Sequence, residues 1–202
     1  EDYFPQELRA ERVMPALDYM FLDKHWRPSS DISIVSMMID LDRPDRSFEE
    51  HYLKGLDELL KIRNPLVVFA ESKYHQYIID RRKELSIATS DNKVVVKEFN
   101  LEHLNALPFH NSIQNLIHNP DWINQSEWMK NSVIVSDNYI PVTLMKPFLL
   151  DVISKENPFN SKRFYWVDSG MSNSFSINEP LTNFDFLKLP KDDKFFLSSY
   201  PY

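Results

Sequence analysis

Three short runs of β-branched and apolar residues, separated by segments of helical period, narrow this chain to one class of fold. Ile32-Ser33-Ile34-Val35-Ser36-Met37-Met38-Ile39, Leu66-Val67-Val68-Phe69-Ala70 and Lys93–Phe99 with its Val94-Val95-Val96 each read as buried strands. From Phe48 to Ile62 the residues Tyr52, Leu53, Leu56, Leu59 and Leu60 recur at helical spacing, and Asn64-Pro65 ends that helix. Tyr74–Leu85, carrying Arg81-Arg82-Lys83, reads as a second helix. Strand, helix, strand, helix, strand predicts an α/β domain with a mostly parallel sheet flanked by helices. Such sheets take ligands in the crevice beyond the carboxyl ends of their strands. The polar residues expected there are Asp40, Asp42, Arg46, Glu71 and, further along, Asp168.

The rest of the chain is arranged around that frame. Residues 1–30 read as an N-terminal extension with one amphipathic piece at 16–22, and residues 31–202 as a single domain. Leu101 to Asn131 looks mostly helical, with loops at Pro108 and Asn119-Pro120-Asp121-Trp122. Ile140–Lys155 reads as a helix in which Pro141 suits the first turn, while Pro147 is expected to start a new segment or kink it. Asn157-Pro158-Phe159-Asn160 then breaks the helix before the strand Phe164-Tyr165-Trp166-Val167, which ends at Asp168-Ser169-Gly170. The tail is richer in Ser, Asn and Pro, with short apolar runs at Phe184–Leu189 and Phe195–Leu197.

Composition removes several chemistries. Only two glycines occur, Gly55 within a helical pattern and Gly170 two positions after Asp168. Neither a Walker loop nor a Gly-x-Gly-x-x-Gly dinucleotide fingerprint can be built from them. A glycine after a strand-end acid permits unusual backbone angles and close approach of a ligand to the main chain. Cysteine is absent, which removes disulfides, thiolate nucleophiles and cysteine-rich zinc sites, and fits a reducing compartment. A net charge of -7 argues against nonspecific nucleic-acid binding, and no run is long enough to span a membrane. The expected location is cytoplasmic, or peripheral to a membrane through other parts of a longer protein.

Among candidate constellations, Asp40-Leu41-Asp42 offers two carboxylates that suit a divalent cation. An Asp-x-Asp after a first strand also resembles haloacid-dehalogenase-type phosphatases, although Arg43-Pro44 follows here instead of Gly-Thr. Arg46 reads either as a bidentate phosphate ligand or as a surface ion-pair former. Glu71 reads as a partner for a ligand hydroxyl or as a cap for the next helix. The histidines at 25, 51, 75, 103, 110 and 118 lack His-x-x-x-His or His-Glu-x-x-His spacing, and there is no Gly-x-Ser-x-Gly elbow.

Asn138, Lys146-Pro147, Asn157-Pro158-Phe159-Asn160 and Phe164 through Gly170, in that order and spacing, resemble the bacterial HtrL/YibB family. Arg46 and the Leu66–Glu71 segment match as well, so the resemblance covers roughly residues 31 to 175. That family is similar to glycosyltransferases of the GT-A fold. The resemblance implies a nucleotide diphosphate sugar, a uridine one, at the carboxyl edge of a Rossmann-like sheet. It implies Mn²⁺ or Mg²⁺ bridging the two phosphates, with Asp168 at the first acidic position of the metal motif and Gly170 at the second. Arg46 and Lys146 would face the phosphates, with Asn138 nearby, and Asp40 and Glu71 would lie by the nucleoside or sugar. As a solvated helix residue, Lys146 has an equally simple reading. The acceptor would be a glycan or a protein hydroxyl, and the chain one domain of a longer protein. The other readings are a non-catalytic module binding nucleotide sugar or glycan, and a phosphatase built on Asp40 and Asp42. Stereochemistry, catalytic base and oligomeric state stay open.

Overall fold

The computed structural model describes residues 31–41, 43, 47–62, 64–85, 94–130, 132 and 136–170. Four strands run through it: β1 (Ile32–Met38), β2 (Leu66–Ala70), β3 (Val94–Glu98) and β4 (Arg163–Trp166). All pair in parallel, in the order β3-β2-β1-β4. The three strands read from the first part of the sequence thus form within a residue of their expected ends. The chain steps from β1 outward to β2 and β3, then returns to place β4 on the other side of β1.

Among the described residues, six α-helices connect and cover the strands: α1 (Lys54–Leu59), α2 (His75–Leu85), α3 (His110–Ile117), α4 (Pro120–Ile123), α5 (Glu127–Lys130) and α6 (Tyr139–Glu156). Helix α1 continues a wider π-helical stretch, Phe48–Leu53, whose N-cap Ser47 accepts a bond from the Glu50 N–H at 3.0 Å. Side chains alternate across a strand, so period two splits the sheet residues between two cores. Ile32, Ile34, Met38, Leu66 and Val68 face Leu56 and Leu59 of α1 and Ile78 of α2. Val35, Met37, Val67 and Phe69 face Leu104, Leu107 and the α6 residues Val142, Met145, Leu149 and Ile153. Every residue of β1 is buried, as a central strand covered on both faces requires.

Two local features depart from expectation. Helix α6 runs as one element through Pro147. A proline inside a helix costs about 3 kcal/mol. Burying Val142, Met145, Leu149 and Ile153 contributes roughly 1.5–3 kcal/mol each, so packing outweighs the break. Asn119-Pro120-Asp121-Trp122 is not a loop but a helix start. The Asn119 side chain accepts from the Asp121 N–H at 2.8 Å, and Pro120 occupies the first turn where no N–H is needed. Arg82, which the sequence shows only as one of three successive basic residues on the helix, is buried. Its guanidinium donates to the carbonyls of Leu60, Ile62 and Asn64, the last at 3.0 Å, and so closes the end of the α1 segment. Burial lowers its pKa to about 10.

Asn157-Pro158-Phe159-Asn160 ends α6 as expected, and the geometry shows how. Asn157 takes φ 45° and Asn160 φ 56°, left-handed conformations that asparagine tolerates. The Asn157 side chain brackets Ser161, accepting its N–H at 2.7 Å and donating to its carbonyl at 2.9 Å. The Ser161 hydroxyl meets that of Ser33, on β1, at 2.7 Å. This motif therefore sets β4 in register at the amino edge of the sheet, the end opposite Asp168. The pieces expected at 16–22, 184–189 and 195–197 lie outside the described residues.

Candidate functional site

In a sheet of this order, β1 and β4 are neighbours whose connections leave in opposite directions. Ligand crevices open at such a switch point, beyond the carboxyl ends of the strands. Each strand delivers one acid to that edge: Glu98 at the end of β3, Glu71 after β2, Asp40 after β1 and Asp168 after β4. Adjacent strands lie about 4.8 Å apart, so carboxylates in such a row repel unless each finds a partner.

The partners divide the edge into two parts. On the β2 and β3 side, Ser72 and His75 meet Glu98, with His75 Nε2 at 3.5 Å from Oε2 and 3.0 Å from the Ala70 carbonyl. Lys73 Nζ stands 3.2 Å from Glu71 Oε2, and that carboxylate raises the lysine's pKa. Tyr74 lies beside them; its pKa is raised chiefly by burial, with the charges of Glu71 and Asp40 adding to the shift. Asp40 and Glu71 are thus brought into one neighbourhood, as the strand-end argument requires.

On the β4 side the structure joins two residues that the sequence singled out separately. Lys146, from the middle of α6, places Nζ 2.8 Å from Asp168 Oδ2. The other carboxylate oxygen, Oδ1, accepts the indole N–H of Trp166 at 2.6 Å. The Lys146 side chain is the more enclosed of the pair, 27% exposed against 53% for Asp168. Asn138 caps the start of α6 without a side-chain bond. It precedes Lys146 by eight residues, roughly 12 Å along the helix axis at the usual rise, so it does not join the pair. Arg46 and Asp42 lie outside the described residues.

Three residues that sequence reasoning passed over hold this loop. Trp166 orients Asp168; both stand on one face by period two, a signal present in the sequence. Ser169 is buried and donates to the Met37 carbonyl at 3.0 Å, tying the loop to β1. Gly55, on α1, packs directly against it. A Cβ there would stand 2.5 Å from the Ser169 carbonyl oxygen and 3.0 Å from the Gly170 Cα. The two glycines of the chain therefore meet. Among the described residues no glycine takes a positive φ, so left-handed backbone does not account for Gly170. What approaches the main chain closely here is helix α1.

A divalent cation needs several hard oxygen ligands. Both Asp168 oxygens are engaged, by Lys146 and Trp166, and the second acidic position is Gly170. Among the described residues no three of His, Cys, Asp and Glu come together as a metal-holding group. As arranged, the donor set does not fit the cation that the family resemblance implies; Asp168 is the partner of an ammonium.

Among the described residues, no helix is long and apolar enough to cross a membrane. Neither a curated protein nor a solved structure matches the chain. One family model does, over residues 30–193, and it describes a bacterial protein of unknown function, HtrL_YibB. Since that match spans most of the sequence and includes both the α/β frame and the Lys146–Asp168 loop, the chain belongs to the HtrL/YibB family.

Proposed function

We propose that this protein is a glycosyltransferase of the GT-A type, taking a nucleotide diphosphate sugar, uridine by preference, in the crevice between β1 and β4. The observation that carries this reading is the Lys146 ammonium, held by Asp168 at the switch point of the parallel sheet. In sugar transfer the bond from the anomeric carbon to the diphosphate breaks and a bond to an acceptor oxygen forms. The acceptor hydroxyl gives up its proton, and negative charge gathers on the leaving diphosphate. A fixed cation beside that charge favours departure, because its interaction strengthens as the charge develops. Lys146 supplies such a cation, Trp166 and Asp168 orient it, and Asp40, one strand away, and Glu71, two strands away, offer acceptors for sugar or ribose hydroxyls. The acceptor would be a glycan or a protein hydroxyl.

Gly170, at the second acidic position, favours one alternative, a module of the same fold that binds nucleotide sugar without transferring it. Thermal-shift measurements against UDP and a panel of UDP-sugars, with UDP release followed in parallel, separate the two. Transfer requires stabilisation, release of UDP in the presence of acceptor, and loss of both in Lys146→Ala. Stabilisation without release assigns the module. No stabilisation by any nucleoside diphosphate sugar refutes both.

A further inference from the structure

The same loop carries an inference about how charge is handled, and it rests on the crevice being an anion site. We propose that Lys146 is the resident cation of this crevice, and that its ammonium receives a diphosphate group without a divalent metal. The geometry is a relay of three side chains. The Trp166 indole N–H fixes one oxygen of Asp168 at 2.6 Å, and the other oxygen fixes the Lys146 ammonium at 2.8 Å. Ser169, bonded to the Met37 carbonyl, and the close seat of Gly55 hold the backbone beneath this relay. A lysine on a flexible stem is thereby aimed before any ligand arrives, which removes part of the ordering cost of binding.

An ammonium has three N–H donors. One is spent on Asp168, and two remain. An anion meeting either of them at the same distance as Asp168 lies, by tetrahedral geometry, about 4.6 Å from the carboxylate oxygen. Since Coulomb energy falls as the inverse of distance, attraction to the ammonium exceeds repulsion from the carboxylate by about 1.6-fold. The anion is therefore drawn to the pair even though the pair is formally neutral. Bringing a divalent cation to Asp168 would require displacing the lysine, with no second carboxylate at Gly170 to compensate.

The test is isothermal titration calorimetry with inorganic pyrophosphate and, separately, UDP, each in EDTA and then with Mn²⁺. The proteins are the parent, Lys146→Met, Asp168→Asn and Lys162→Met. The last removes the Lys162–Asp31 ion pair (3.1 Å) at the amino edge, an exposed pair of the same kind far from the crevice. Melting curves of each variant confirm folding. Pyrophosphate is expected to bind in EDTA, with affinity changed less than about twofold by Mn²⁺ and reduced about tenfold or more in Lys146→Met. Lys162→Met is expected to match the parent, and Asp168→Asn to retain binding within about threefold, since the lost orientation of Lys146 is offset by the lost repulsion. Pyrophosphate or UDP binding that appears only with Mn²⁺, vanishes in Asp168→Asn and survives Lys146→Met overturns the inference and leaves the glycosyltransferase reading standing. Lys146-dependent pyrophosphate binding without any for UDP or its sugars sustains the inference and defeats that reading. Absence of anion binding in every condition overturns both.

Discussion

Gly55→Ala tests whether the loop at Asp168 is held from beneath by α1. Two effects oppose each other. Alanine in an ordinary helix interior is favoured over glycine by about 1 kcal/mol, so propensity alone predicts a more stable protein. Against that, the new methyl would stand 2.5 Å from the Ser169 carbonyl oxygen, 3.0 Å from the Gly170 Cα and 3.2 Å from the Ser169 carbonyl carbon. These are backbone atoms that cannot rotate aside, and overpacking of this kind costs about 1–3 kcal/mol. Moving the loop away also loosens the buried Ser169–Met37 hydrogen bond, worth about 1 kcal/mol. Steric conflict wins, and the net expectation is destabilisation by about 2 kcal/mol, a fall in Tm of about 4–8 °C for a domain of this size. Urea unfolding followed by far-UV circular dichroism reads it directly. Lys54→Ala, at the exposed neighbouring position, serves as the control and should fall within about 0.5 kcal/mol of the parent. A Gly55→Ala protein at least as stable as the parent would refute the argument that the Ser169–Gly170 backbone requires a glycine at position 55.

Substitutions at three further positions probe the frame. Arg82→Met should destabilise by about 3 kcal/mol in the same urea assay, since the carbonyls of Leu60, Ile62 and Asn64 lose their donor in a dry site; a loss below about 1 kcal/mol would mean that water replaces the guanidinium. Pro147→Ala restores an N–H to the interior of α6 and, at an exposed position, should raise stability by about 1–3 kcal/mol, seen as a higher Tm by calorimetry. Asn157→Ala should cost about 2–3 kcal/mol, from left-handed strain and two lost bonds to Ser161, whereas Asn157→Gly should recover the strain component but not the bonds; equal stability of the two would show that φ 45° carries no penalty here.

The frame was legible because it depends on short-range pattern. β1, β2 and β3 announce themselves through β-branched runs, and β1 is buried on both faces as its near-continuous apolar character demands. Misreadings fall where a local signal competes with burial. Pro147 looks like a break because nothing in its immediate sequence reveals that four residues of α6 are packed against β1 and β2. The burial of Arg82 leaves no trace in its own helix because its three acceptors lie at least 18 residues away. Asn119-Pro120 carries both a turn signal and a helix-start signal, and the asparagine's bond to Asp121 decides for the helix.

The site was legible only in halves, for a related reason. Asp168 and Lys146 are each recognisable, one as a strand-end acid and the other as a helix cation, yet they are 22 residues apart and on different elements. Their pairing follows from sheet order, which places β4 beside β1 and α6 over the face that those strands share. Spacing in the sequence says nothing of it. The pairing changes what each residue can do. An isolated strand-end aspartate is a metal ligand in waiting, whereas one whose two oxygens already hold an indole and an ammonium is an orienting group for a cation. Gly170 acquires a different meaning by the same step. Its Cα belongs to the stretch of main chain on which Gly55 of α1 is seated, and not only to a position where a carboxylate is missing. A carboxylate introduced by Gly170→Asp therefore discriminates between the two views. If the loop is a degraded metal motif, that substitution creates Mn²⁺ affinity measurable by calorimetry at little cost in stability. If Lys146 is the cation, the substitution yields no metal binding, because the ammonium still holds Asp168.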